Sequence, residues 1–148
     1  MAEKYPVYKI EDVYHFNKYA PKASAALNAW SWVQLLMVLI SISYLFGNIA
    51  AINSASTAYI FWYGAFVFLS VYSMTELMDR NPYAIGWEIL RCGLGIGFLV
   101  YQDDWFGASG YITSIKFILG VYFILSIIIT GWFVYKHYRE DRKLALSM

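Results

Sequence analysis

Long apolar stretches, separated by short polar ones, make up most of this chain. From Ala23 to Thr75, 53 consecutive residues contain no Asp, Glu, Lys or Arg. A membrane-spanning helix needs roughly 20 apolar residues, so this stretch is long enough for two spans and a turn. A second region, largely apolar, follows Pro82 and ends near Tyr135. The pattern predicts an all-α integral membrane protein.

Four spans fit this pattern, at residues 25–46, 58–78, 83–101 and 111–135. Residues that favour turns separate the first two spans in "GNIAAINSAST" and the last two in "QDDWFGASG". Short connections of this kind predict an antiparallel four-helix bundle. Residues 1–24 are charged and aromatic, without the order of a signal peptide, and are expected in the cytoplasm or on the membrane surface. Residues 136–148 are expected to form a charged cytoplasmic tail, in which His137 is solvated.

The distribution of Lys and Arg predicts the orientation of the spans. Ten of the 11 basic residues fall on one side of the predicted membrane, and only Lys116 falls on the other. The ten are Lys4, Lys9, Lys18, Lys22, Arg80, Arg91, Lys136, Arg139, Arg142 and Lys143. Under the positive-inside rule, both termini are therefore cytoplasmic. Most Trp and Tyr residues, Trp105 among them, fall near predicted span ends, where membrane-interface aromatics concentrate.

Composition narrows the chemistry that the chain can perform. Only 14% of residues are charged, against about 25% in soluble domains. A net charge of +1 gives no electrostatic support for binding nucleic acid. One cysteine excludes an internal disulfide and a cysteine-based metal site, and two histidines are too few for a histidine-rich di-iron centre. The sequence predicts no cofactor, no metal site and no catalytic residue.

The stretch "TELMDRNPYAIGWEILRC" is the strongest candidate for a binding or pairing site. Its charged residues are Glu76, Asp79, Arg80, Glu88 and Arg91. Residues three or four apart meet on one face of a helix, so the spacing predicts the pairs Glu76–Arg80 and Glu88–Arg91. Two interpretations follow. The pairs stabilise a tight hairpin between two spans, or they form a polar patch that binds a lipid headgroup or a partner's loop. Ionisable groups inside a span are often functional.

Two further features predict contacts between helices. Gly93 and Gly97 lie four residues apart on one helix face, a spacing that allows another helix to approach closely. Gln34 lies two to three turns into the first span and is expected to form a hydrogen bond across helices.

The segments "KYAPKASAALNAWSWVQLLMVL" and "ELMDRNPYAIGWEILRCGLG" carry a family resemblance. They resemble the C-terminal membrane region of bacterial sterol-desaturase-like proteins, relatives of alkylglycerol monooxygenase in the fatty acid hydroxylase superfamily. The histidine boxes that hold two irons in that family are missing from this sequence. The resemblance therefore implies a non-catalytic extension, placed in the bacterial inner membrane.

The resemblance favours a non-catalytic accessory protein associated with a lipid-modifying membrane oxygenase. A small oligomeric transporter or channel is the alternative, with Glu76, Glu88 and Arg91 facing water. A lipid-metabolising enzyme that uses Glu76, Asp79 or Glu88 as acid or base is a third hypothesis. Membrane lipids, an oxygenase and further copies of the chain are the partners to consider.

The predicted orientation is tested by fusing a reporter that is active only in the periplasm to the C-terminus. We expect this fusion to be inactive because the C-terminus stays in the cytoplasm. An active fusion would contradict the predicted topology.

Overall fold

The computed structural model describes residues 23–146, and all regular structure in that range is helical. The helices are α1 (Ala25–Ala55), α2 (Thr57–Met78), α3 (Ala84–Tyr101) and α4 (Ile115–Leu146), with a short 3-10 helix at Ala108–Gly110. All four α-helices are long and apolar enough to cross a membrane. This confirms the prediction of an all-α protein with four candidate spans. The predicted N-terminal segment, residues 1–24, lies almost entirely outside the described residues.

The first helix does not end at Phe46, where the first span was predicted to end. α1 continues through the expected turn to Ala55, and only Ser56 separates it from α2. The Gly and Asn residues of that segment mark a kink instead, because Asn48 has non-helical angles (φ −121°, ψ 15°). The Asn48 side chain donates to the Tyr44 carbonyl oxygen at 3.0 Å, which satisfies a backbone acceptor at the kink.

The fourth helix is also placed differently from the prediction. α4 begins at Ile115 rather than residue 111 and continues through the predicted tail to Leu146. His137, expected to be solvated, is buried instead, one turn after the buried Phe133 on the same helix face. His137 is buried because α4 continues past Tyr135, which keeps the helix face that carries Phe133 and His137 directed toward the protein.

Consecutive helices pack against each other: α1 against α2, α2 against α3, and α3 against α4. One core cluster contains Leu27, Leu77, Ala84 and Phe133, which come from all four helices. A larger cluster joins aromatic and aliphatic side chains from the four helices and the segment before α4, including Ile52, Tyr63, Leu99 and Phe123. Much of the remaining apolar surface, such as Phe61 and Phe117, is exposed, as lipid contact requires.

The segment between α3 and α4 inserts aromatic side chains into the bundle. Trp105 and Phe106 are 5% and 7% exposed and pack on Tyr63 and Phe66. The Asp104 carboxylate holds the segment, accepting bonds from the Ser109 backbone nitrogen and hydroxyl at 3.0 and 2.8 Å. Trp105 is therefore a core residue, and the prediction of an interface position for it was wrong. Sequence position alone could not show that the connection folds inward.

Close packing inside the chain occurs at Gly95 rather than at Gly93 and Gly97. A Cβ atom at Gly95 would lie 2.5 Å from the Phe123 ring, whereas one at Gly93 or Gly97 would meet nothing within 4 Å. The described helices make no close contact at Gly93 or Gly97, so the approach of another helix at this face stays a prediction. Gly95 lies half a turn away on the buried face of α3, and this places it against α4.

We expect Gly95→Ala to destabilise the protein by about 1–3 kcal/mol, since overpacking a buried site costs this much. Gly93→Ala is the matched control and should not lower stability, because its Cβ meets nothing within 4 Å and alanine suits a helix better than glycine. Thermal unfolding in detergent measures both, and Gly95→Ala with Phe123→Leu should recover part of the loss. Equal stability of the two single variants would contradict the packing at Gly95.

Candidate functional site

Glu88 and Arg91 form a buried ion pair one to two turns into α3. Their exposed fractions are 0% and 3%. Arg91 Nη2 donates to Glu88 Oε1, and Arg91 Nε donates to Glu88 Oε2 at 3.1 Å. The two side chains thus meet in the forked geometry that suits a guanidinium and a carboxylate. The structure contains this pair as the three-residue spacing predicts.

Serine hydroxyls from the two neighbouring helices complete the pair. Ser73 of α2 donates to Glu88 Oε2 at 2.6 Å. Ser126 of α4 accepts from Arg91 Nη2 at 2.8 Å and donates to Glu88 Oε1. Both serines are fully buried. The four residues therefore form one polar network, which we call the ion-pair network, and it connects α2, α3 and α4.

Aromatic rings enclose the cationic side of the network. The Arg91 guanidinium carbon lies 5.5 Å from the Tyr122 ring centroid and 5.9 Å from that of Phe123, within the range of cation–π attraction. The cavity beside Arg91 measures about 10 Å³, roughly the space for one water molecule. Glu88 and Arg91 are therefore enclosed by protein groups.

The other three charged residues lie apart from this network, at the turn between α2 and α3. Asp79 caps the C-terminus of α2 and is exposed. Glu76 accepts a hydrogen bond from the Asn81 side-chain amide. Glu88–Arg91 and Lys116–Asp103 form ion pairs, and the Glu76–Arg80 pair stays a prediction. Arg80 lies beyond the end of α2 with φ 58°, where the four-residue helical spacing no longer applies.

Gln34 of α1 is buried in the bundle, as a contact between helices requires. Its side chain is only 4% exposed. Its Oε1 atom accepts no hydrogen bond from the described residues. The predicted hydrogen bond across helices is therefore not formed at this oxygen.

A cleft of about 300 Å³ lies between α1 and α4, beside the kink at Asn48. We call it the α1–α4 cleft. Its lining is Met37, Ile40, Ser41, Tyr44, Gly47, Asn48, Tyr63, Trp105, Ala108, Tyr111, Ile112, Ile115 and Leu119. None of these side chains carries a formal charge at neutral pH. Ile40, Tyr111 and Ile112 are more than half exposed, so the cleft opens to the outer surface of the bundle.

The hydroxyl hydrogens around the α1–α4 cleft already have acceptors in the protein. Tyr44 donates to the Phe106 carbonyl, Tyr63 to the Ser41 carbonyl and Tyr111 to Asn48 Oδ1, each at 3.0 Å. Ser41 likewise donates to the carbonyl oxygen of Met37, within its own helix.

The oxygen atoms of these hydroxyls can still accept a hydrogen bond from a ligand. The lining therefore suits an uncharged ligand that donates a hydrogen bond better than it suits an anion. An anionic group would find acceptors and no cationic side chain in this cleft.

Sequence reasoning missed Ser73 and Ser126, as well as the residues of the α1–α4 cleft. Serine occurs throughout these spans, so no spacing distinguishes the two serines that reach Glu88. The Gly47–Asn48 pair was the one available signal for the cleft, and it was interpreted as a turn.

Within residues 23–146, no group of three or more His, Cys, Asp or Glu side chains is arranged to hold a metal ion. Comparison of the chain with protein-family models, curated proteins and solved structures gives no match.

We expect Arg91→Met to destabilise the protein by about 3–5 kcal/mol, because it leaves the Glu88 carboxylate buried without a partner. Combining it with Glu88→Gln removes both charges and should recover most of the loss. Unfolding in detergent micelles measures each variant.

Lys116→Met is the control, since it breaks the solvent-exposed Lys116–Asp103 pair and should change stability little. A double variant less stable than Arg91→Met alone would contradict the interpretation of Glu88 and Arg91 as a coupled pair.

Proposed function

We propose that this chain is a small non-catalytic membrane protein that holds a neutral lipid in the α1–α4 cleft and serves a separate lipid-modifying oxygenase as an accessory subunit. The observation that carries the proposal is the cleft of about 300 Å³, whose lining residues include no formally charged side chain. Pockets for small ligands begin at about this volume and are lined mainly by apolar groups. The link to an oxygenase rests on the sequence resemblance.

The proposed arrangement is an antiparallel bundle in the bacterial inner membrane, with both termini in the cytoplasm. The composition of one core cluster supports it, since Leu27 near the start of α1 packs with Leu77 near the end of α2 and Ala84 at the start of α3. The excess of Lys and Arg on the proposed cytoplasmic side supports the orientation.

The enclosure of the ion-pair network supports a role without catalysis. A general acid or base must reach the proton that it transfers. Glu88 instead accepts hydrogen bonds from Ser73, Arg91 and Ser126 and is fully buried. A transporter would need Glu88 and Arg91 beside water, and the cavity at Arg91 has room for about one molecule. These contacts favour the accessory role over a transporter or an enzyme that uses Glu88 or Arg91.

Photo-crosslinking tests lipid binding in the cleft. A long-chain alcohol that carries a diazirine should label α1 and α4 at the cleft, whereas the matching carboxylic acid should label them less. Ile40→Trp should reduce labelling by the alcohol because it fills the cleft. Leu39→Trp is the matched control, since Leu39 is equally exposed on the same helix but does not line the cleft. Equal labelling of both variants would contradict the proposal.

The accessory role is tested separately by purification after gentle detergent extraction. We expect a membrane oxygenase with histidine boxes to co-purify in a fixed ratio. A monomer without an enriched oxygenase would contradict the accessory role and leave the lipid-binding result standing.

A further inference from the structure

A second recess lies at the turn between α2 and α3, outside the ion-pair network and the α1–α4 cleft. It is an open groove of about 580 Å³ lined by Tyr72, Glu76, Asn81, Tyr83, Gly86, Trp87 and Leu90. Three of these side chains are aromatic, and one is a carboxylate. We call this recess the aromatic groove.

Two rings of the aromatic groove, those of Tyr72 and Trp87, pack edge to face. The centroids of Tyr72 and Trp87 lie 4.7 Å apart, and their planes meet at 77°. Tyr83, which is 75% exposed, stands on the same lining, and Gly86 adds no side chain that would occupy the space. Ring faces carry partial negative charge, so two or three rings around one space attract an alkylammonium cation.

Glu76 adds a full negative charge to this wall. Its carboxylate accepts a hydrogen bond from Asn81, which orients the group without neutralising it. The groove therefore combines aromatic rings with a carboxylate, the combination that complements a positive charge with apolar substituents.

The position of the groove indicates where such a cation comes from. Glu76 lies two residues before the end of α2, and Trp87 lies within the first turn of α3. Both helices are candidate membrane spans, so their ends coincide with the region of lipid headgroups. Zwitterionic lipids carry an ammonium group at that depth.

We propose that the aromatic groove binds an alkylammonium group, supplied by the headgroup of a zwitterionic lipid. This site is separate from the proposed lipid-binding cleft, and neither depends on the other. Glu76 provides the charge, Tyr72 and Trp87 provide the ring faces, and Asn81 positions the carboxylate.

The test measures lipid retention by native mass spectrometry after the full chain is purified from vesicles of phosphatidylethanolamine, phosphatidylcholine and phosphatidylglycerol in equal parts. The wild type should retain the two zwitterionic lipids in preference to phosphatidylglycerol. Glu76→Gln and Trp87→Leu should each weaken that preference about fivefold or more, because each removes part of the attraction for the cation. Trp87→Phe keeps a ring and should retain most of it.

Matched controls distinguish the groove from general effects of charge and aromatic content. Asp79→Asn removes a carboxylate from the same turn, and Trp32→Leu removes an exposed indole from α1; neither residue lines the groove. Both variants should bind as the wild type does. Equal retention of phosphatidylglycerol by the wild type, or an unchanged preference in both Glu76→Gln and Trp87→Leu, would overturn the proposal.

A titration with tetramethylammonium chloride, with sodium chloride as the salt control, separates the two sources of the cation. Displacement of the retained zwitterionic lipid by tetramethylammonium, dependent on Glu76, supports the headgroup as the ligand. Tetramethylammonium binding that depends on Glu76, without any lipid preference, would overturn the lipid source and assign the groove to a soluble alkylammonium compound.

Discussion

The packing of three helices depends on one interaction, the buried ion pair between Glu88 and Arg91. An unpaired charge inside a membrane span is costly, and partners that neutralise and solvate it reduce that cost. Here the partners come from three helices, because Ser73 belongs to α2 and Ser126 belongs to α4. A displacement of α2 or α4 relative to α3 would break hydrogen bonds to a charged group. The network therefore specifies how these helices lie against each other, while the apolar contacts around it are less selective.

α1 is not part of this network, and this difference matters for the proposed function. It packs against α2, and its kink at Asn48 lies beside the α1–α4 cleft. Tyr44 and Tyr63 connect it to neighbouring segments through bonds to Phe106 and Ser41. A ligand entering the cleft would thus contact the helix that the ion-pair network does not hold. The cleft therefore has one wall from α1, outside the network, and another from α4, which the network connects to α3.

Sequence periodicity and charge were sufficient to predict four apolar helices, because the length of a membrane span and the cost of charge within it are strong constraints. The same reasoning predicted the Glu88–Arg91 pair, since its spacing is local. This reasoning was insufficient where the same residue type is compatible with two different structures. Gly47 and Asn48 suit a turn and also a helix kink, and a glycine pair such as Gly93 and Gly97 can face lipid as well as another helix.

The candidate sites depended on contacts between residues distant in sequence, which no local pattern contains. Ser126 lies 35 residues from Arg91 in the sequence and is one of many serines in the chain. Trp105 has the sequence position of an interface residue, yet it packs in the core because the connection to α4 folds inward. Tyr72 and Trp87 approach each other only because the turn after Asp79 brings α2 and α3 together.

The infrared difference spectrum between the wild type and Glu88→Gln, recorded in lipid at neutral pH, tests most directly whether Glu88 and Arg91 are a charged, enclosed pair. We predict the loss of an ionised carboxylate band, with no loss in the region of protonated carboxyl groups. Loss of a protonated carboxyl band instead would contradict the ion pair as the basis of this structure.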